Sequence, residues 1–257
     1  MANESPDQQA EQQKVMGLME HLGELRDRIV KSLGFVLVAF CVAMYFSVPI
    51  LEFLKSPLRV AIPDADNLLH FTSPMEPFIA QIKVSFLSAF IAGSPIWLYH
   101  FWRFIEPALY DHEKRYVIPF TFASIALFFS GICFCFFLIL PMAMKFLIGL
   151  GMQSAEAIIT ISDYISVIML LIFAFGIIFE TPLILILLGM LDLISADTLA
   201  KNRKFVFIGI LTVGAVMTPP DPISQLAMAG PTYIMFEVSI IIIRFIKREP
   251  KEAKETV

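Results

Sequence analysis

Six apolar runs, near Ile29–Ile50, Phe78–Tyr99, Val117–Leu140, Tyr164–Leu188, Phe205–Met217 and Ile223–Ile243, take up most of the chain and leave it few ways to fold. About 20 apolar residues in helical form match the hydrocarbon core of a bilayer, and within that core every backbone N–H and C=O has to be bonded inside its own segment. The pattern predicts an all-α integral membrane protein with six transmembrane helices. Composition agrees: 58% of residues are hydrophobic and 16% charged, against about 25% charged in ordinary soluble domains. No internal repeat or soluble domain interrupts the pattern, so residues 1–257 read as one membrane domain. Its parts are a tail and amphipathic helix over 1–28, a six-span bundle over 29–243 and a second tail over 244–257.

Lysine and arginine sort the loops. Lys14, Arg26, Arg28 and Lys31 flank the start of the first run, Arg103, Lys114 and Arg115 follow the second, and Lys201, Arg203 and Lys204 follow the fourth. The tail adds Arg244, Lys247, Arg248, Lys251 and Lys254, whereas the alternate loops carry only Lys55, Arg59 and Lys145, with Lys83 entering the second run. The positive-inside rule then places both termini in the cytosol. No small-residue cleavage site follows the first run, so no removable signal is expected.

Spans five and six are expected to be short. Phe205–Met217 rises only about 20 Å at about 1.5 Å per residue, against a hydrocarbon core of roughly 30 Å. Thr218-Pro219-Pro220-Asp221-Pro222 allows only a tight turn before the sixth run, which Gly230-Pro231 can kink. The longer segments Leu51–Pro77 and Met142–Asp163 are rich in proline and polar residues and suggest ordered caps with short helices.

The helix ahead of the first run is amphipathic. Val15, Met16, Leu18, Met19, Leu22, Leu25 and Ile29 fall on one face, and Glu20, Glu24 and Asp27 on another. Acid at an interface that usually carries base suggests a docking surface for something cationic. A second acidic group, Glu113, follows Phe104-Ile105-Glu106-Pro107-Ala108-Leu109-Tyr110 and could act with Glu24 on guanidinium groups, which favour planar carboxylate partners. A loop ion pair with Lys114 or Arg115 is the plainer reading of Glu113. His21 and His112 have no cluster around them that would hold a metal.

Charge inside an apolar run is expensive, by about 2.5 kcal/mol or more on insertion scales. Glu180, in Phe179-Glu180-Thr181-Pro182, is the most informative case, two residues before a proline that can kink the helix and expose carbonyls. It reads as a polar intramembrane notch, or alternatively as a protonated acid bonded to a neighbouring helix. Glu76, Lys83 and Glu237 are expected to pair locally or anchor interfaces.

Several chemistries find no support. Cys41, Cys133 and Cys135 lack metal-ligand spacing, the net charge of -4 with no basic stripe argues against nucleic acid, and no hydrolase or nucleotide motif is present. Neither an enzyme nor a cofactor is expected. A proton-coupled secondary transporter of a small solute, with Glu180 as relay, is the alternative, but the inverted repeats and paired broken helices of that class are not evident.

Five segments in order carry a resemblance: Glu20-His21-Leu22-Gly23-Glu24-Leu25-Arg26-Asp27-Arg28, Ser73-Pro74-Met75-Glu76-Pro77-Phe78, Phe101-Trp102-Arg103 through Tyr110 with His112-Glu113, Phe179-Glu180-Thr181-Pro182, and Thr218-Pro219-Pro220-Asp221. Together they resemble the TatC family, the multispanning receptor subunit of the twin-arginine protein translocase. The resemblance implies a concave bundle in the bacterial cytoplasmic membrane that binds twin-arginine signal peptides of folded cargo and supports export driven by the proton-motive force. It implies signal binding at Glu24 and Glu113, with Arg26, Phe104 and His21 on the same surface. It also implies a polar notch at Glu180, structural roles for Pro57 and Asp221, and contacts at Met217, Thr218 and Gln225 with single-span TatA- and TatB-type subunits. Self-association in a receptor complex and contact with membrane lipid belong to the same expectation.

Overall fold

The computed structural model describes the backbone of residues 6–61, 69–109, 114–151, 159–217 and 222–247. Side chains are described over 22–61, 69–109 except Ala108, 114–149, 159–215 and 225–246. The first helix, α1 (Pro6–Tyr45), runs unbroken from the amphipathic segment into the first apolar run, so the two form one long rod. It ends at Tyr45, before the expected Ile50, and after the turn at Phe46 α2 (Ser47–Leu54) and α3 (Ser56–Ala61) follow as a compact cap. Then come α4 (Glu76–Ile105), α5 (Val117–Phe134), α6 (Leu140–Gly151), α7 (Ile161–Phe179), α8 (Thr181–Met190), α9 (Ala196–Lys201), α10 (Arg203–Met217) and α11 (Pro222–Lys247).

Among the described residues, five stretches are long and apolar enough to cross a membrane: Leu22–Tyr45, Glu76–Ile105, Lys114–Gly149, Ile161–Met190 and Gln225–Ile246. The third is continuous because a π-helical turn, Cys135–Ile139, joins α5 to α6. The fourth contains a break at Glu180. α10 has 15 residues and rises about 22 Å, the short helix anticipated from the sequence. The sixth span, expected to be short and kinked, is not: α11 has 26 residues and stays helical through Gly230-Pro231.

The two caps are joined by a feature no sequence pattern announces. β1 (Leu69–His70) pairs in parallel with β2 (Ile159–Thr160), Leu69 opposite Ile159. Two-residue strands carry too little periodicity to be read in advance. The Tyr164 hydroxyl donates to the Leu54 carbonyl at 2.7 Å, and Phe53 stacks on Phe136 at 4.9 Å, so the first cap is seated on α7 and on the π-turn.

Burial falls into two clusters. One collects Leu54, Leu58, Leu87, Phe128, Ile139, Ile165, Leu171 and Phe175 beneath the caps. The other gathers Trp102, Leu109, Val117, Ile186, Leu199, Phe236 and Ile243 around α8, α9 and α11. Small residues set the closest helix approaches, as expected where lipid supplies no hydrophobic drive and contact area must come from close packing. A Cβ on Gly131 would sit 2.8 Å from the Phe175 carbonyl oxygen, and one on Gly176 2.6 Å from the Phe128 ring, so α5 and α7 touch at backbone distance. Gly93 likewise lets Val36 of α1 against α4. Asp192, at φ 57, takes the left-handed turn that closes α8, a conformation aspartate tolerates better than most residues.

Candidate functional site

α1 packs on α4 so that Leu25 and Phe104 share one end of the pair. Between the helices runs an apolar groove of about 480 Å³, walled by Leu25, Ile29, Leu33 and Val36 on one side and by Phe86, Phe90, Trp97, Phe101 and Phe104 on the other. Its polar residues are Arg28, Ser32 and His100. The groove exists because α1 presents consecutive aliphatic turns to the aromatic face of α4, and the small Gly93 holds the two helices close at mid-length.

Glu24 sits one turn before Arg28 at this mouth. Its carboxylate oxygen Oε1 accepts from Arg28 Nε at 3.2 Å and also from Arg28 Nη2. Arg28 is the more enclosed partner, its side chain 17% exposed against 40% for Glu24. Arg26 points outward and bonds Asp27 at 2.9 Å, away from Glu24. Phe104 is half-buried and forms part of the groove wall. At the end of α4, Arg103 pairs with Glu106 of the turn that follows, at 2.7 Å.

Glu113, Thr218 and Asp221 lie outside the described residues, as do the side chains of His21 and Met217. Glu24 is bonded to Arg28, which lines the groove together with Phe104; the expected pairing of Glu24 with Glu113 rests on the sequence. Pro57 is buried within α3, part of the first cap. Gln225 donates through Nε2 to the Leu211 carbonyl at 2.9 Å, lacing α11 to α10.

Glu180 occupies the break between α7 and α8. Pro182 cannot donate to the Ile178 carbonyl, and the Glu180 N–H caps Ile177 and Ile178 instead. The side chain is 9% exposed; Ser124 Oγ donates to its Oε2 at 2.6 Å, while no donor among the described residues reaches Oε1. A second, smaller hollow of about 140 Å³ opens on it, lined by Trp97, Leu98, Phe101, Phe128, Ile177 and Ile184. Trp97 and Phe101 therefore form a wall common to the α1–α4 groove and the Glu180 notch.

Glu76, Lys83 and Glu237 each have polar partners. Glu76 accepts from the Thr72 N–H at 2.8 Å, the Thr72 hydroxyl at 3.1 Å and the Ser162 N–H at 3.1 Å. Lys83 donates to Ser162 Oγ at 2.7 Å and Ser166 Oγ at 2.8 Å. Glu237 takes a two-pronged bond from Arg203, at 2.6 and 2.8 Å, and a third from the Tyr233 hydroxyl at 2.9 Å. The role of Arg28 as partner of Glu24 was missed from sequence, although the Glu-to-Arg spacing of four on a helix is its usual signal. The aromatic wall of Trp97 and His100 also went unread, because its residues face a neighbour that only the fold identifies.

Comparison with known proteins follows the same lines. Residues 20–231 match the family model described as "Sec-independent protein translocase protein (TatC)". A relative of that name from Aquifex aeolicus is 40% identical over 242 residues, spanning 93% of this chain and all of the relative. One from Escherichia coli K12 is 36% identical over 228 residues, covering 89% of this chain and 88% of the relative. A solved structure described as "Crystal Structure of Twin Arginine Translocase Receptor- TatC" superposes with a TM-score of 0.75 at 40% identity, over 89% of this chain and 100% of the other.

Proposed function

The chain belongs to the TatC family and is a membrane subunit of the Sec-independent, twin-arginine protein translocase; from that premise we propose that it binds the paired arginines of a signal peptide with Glu24 and Glu113 at the cytosolic face. The observation that carries this reading is the placement of Glu24 at the mouth of the α1–α4 groove. A signal that presents arginines and then an apolar stretch meets, in the same order, a carboxylate and an apolar channel. Each arginine exchanges water for a charge-assisted bond worth about 1.5–3 kcal/mol. Two carboxylates set apart ask for two planar guanidinium groups, a geometry that lysine ammonium groups do not reproduce.

The orientation follows from charge. Arg26, Arg28, Lys31, Arg103, Lys114, Arg115, Lys201 and Arg203 cluster at the end opposite the caps, which supports six spans with both termini in the cytosol of a bacterial cell. α10 then spans a thinned bilayer or leans on a partner helix, and TatA- and TatB-type subunits dock along α10–α11 near Met217, Thr218 and Gln225. Several copies associate in the receptor complex. Glu180 gives the concave face a polar point at membrane depth, and export of folded cargo draws on the proton-motive force with no chemical turnover by this chain.

The test is photo-crosslinking in membranes containing the partner subunits, with the probe beside the arginine pair of a signal peptide. Adducts to α1 around Glu24 and to the segment after Phe104, lost when the pair is lysine, are expected. Absence of adducts at both places overturns the assignment.

A further inference from the structure

Glu24 is not a bare acid. Arg28 presents one edge of its guanidinium, Nε at 3.2 Å together with Nη2, to Glu24 Oε1, with the acid N-terminal to the base at the spacing and order that helices favour. Arg28 is also the less exposed of the two and forms part of the groove wall with Ile29, Ser32 and Phe104, so its position is held by packing as well as by charge. The carboxylate proposed to receive a signal arginine thus already carries a guanidinium from its own helix.

Building on the proposed signal-binding role of Glu24, we infer that Arg28 is a resident ligand of that carboxylate which an incoming arginine displaces, so that it sets the affinity threshold of the site. Like replaces like: an arriving guanidinium offers the same planar fork and can take over the bonds with no change of geometry. Displacement lowers the apparent affinity for every cationic segment by one common factor, because the cis partner is tethered one turn away at high effective concentration. A weak ligand, such as a lysine pair or a stray basic segment, then falls below useful occupancy, while a twin-arginine signal stays above it. The threshold keeps a carboxylate at a cytosolic interface from being occupied by any basic peptide.

The experiment is equilibrium binding of a fluorescent twin-arginine signal peptide to the full chain in nanodiscs with its partner subunits, read by anisotropy. Arg28→Gln is expected to tighten binding by about two- to fivefold, the scale of one partly exposed ion pair. Arg28→Lys, a one-pronged competitor, falls between it and the native chain. Lys31→Gln removes the same charge further along α1 and is expected to change the affinity less. Unchanged or weaker binding in Arg28→Gln, or equal tightening in Lys31→Gln, overturns the inference, the latter by showing bulk electrostatics alone. Should Arg28→Gln fail to fold, Arg28→Lys decides by the same criterion. Glu24→Gln separates the two readings: if it loses the peptide while Arg28→Gln changes nothing, only displacement fails, and if it keeps the peptide, the signal-binding role of Glu24 fails with it.

Discussion

Ser124 on α5 donates its hydroxyl to Glu180 at 2.6 Å, which makes a single hydrogen bond the only polar tie between that buried carboxyl and the rest of the described bundle. Removing it in Ser124→Ala leaves both carboxyl oxygens without a donor. A buried polar atom left unsatisfied costs about 1–3 kcal/mol. Thermal unfolding of the detergent-solubilised variant should show a lowered Tm, and the double variant Ser124→Ala with Glu180→Leu should recover part of the loss. An additive or larger loss in the double variant contradicts this account of the notch.

Close approach of α5 and α7 depends on Gly131, where an added Cβ meets a backbone oxygen that cannot swing aside. Gly131→Ala is therefore expected to destabilise the bundle by about 1–3 kcal/mol, the usual cost of overpacking. The alanine at Gly149, where open space surrounds the position, should be tolerated. Comparable unfolding temperatures for the two variants would argue against backbone-distance packing at that crossing.

Arg203 and Glu237 lock the start of the short α10 to α11 through two parallel bonds. Arg203→Lys keeps the charge and loses the fork, so it should rescue only part of what Arg203→Ala loses. Hydrogen exchange across α10 is the readout, with faster exchange in the alanine variant than in the lysine one. Identical protection in all three proteins would mean that apolar packing alone seats the hairpin.

The cap end is held by Glu76, whose carboxylate accepts from the backbone of both Thr72 and Ser162. Glu76→Gln turns an amide NH2 toward one of those N–H donors and should loosen both segments. Exchange at the Thr72 and Ser162 amides is expected to quicken together, since one side chain serves both. Quickening at only one of them would show that the other is held by the β1–β2 pairing.

Long apolar runs were legible because the bilayer imposes one length scale and one bonding rule, so α4, α7–α8 and α11 fall where the runs of the sequence put them. The break at Glu180 was signalled by Pro182, whose missing N–H leaves the Ile178 carbonyl, four residues upstream, without its helical donor. What escaped notice depends on residues far apart in the chain. Arg203 and Glu237 are charges on different helices, Ser162 meets both Glu76 and Lys83 only after α7 packs on α4, and the parallel pair Leu69–His70 with Ile159–Thr160 is too short to have a pattern. The continuity of α1 was also hidden, since charge ends a membrane span in sequence without ending a helix. Within the site, Glu24 and Phe104 could be named from their motifs, whereas the groove between them belongs to the packing of α1 on α4.

In the proposed function, Glu24 receives an arginine of the signal. Measuring the Kd of a twin-arginine signal peptide for the native complex and for Glu24→Gln tests it most directly, with a paired-lysine peptide alongside. Loss of one charge-assisted bond of about 1.5–3 kcal/mol predicts a Kd raised by about ten- to a hundredfold in the variant, with the difference between arginine and lysine peptides much reduced. An unchanged Kd, with arginine still preferred over lysine, would contradict the claim.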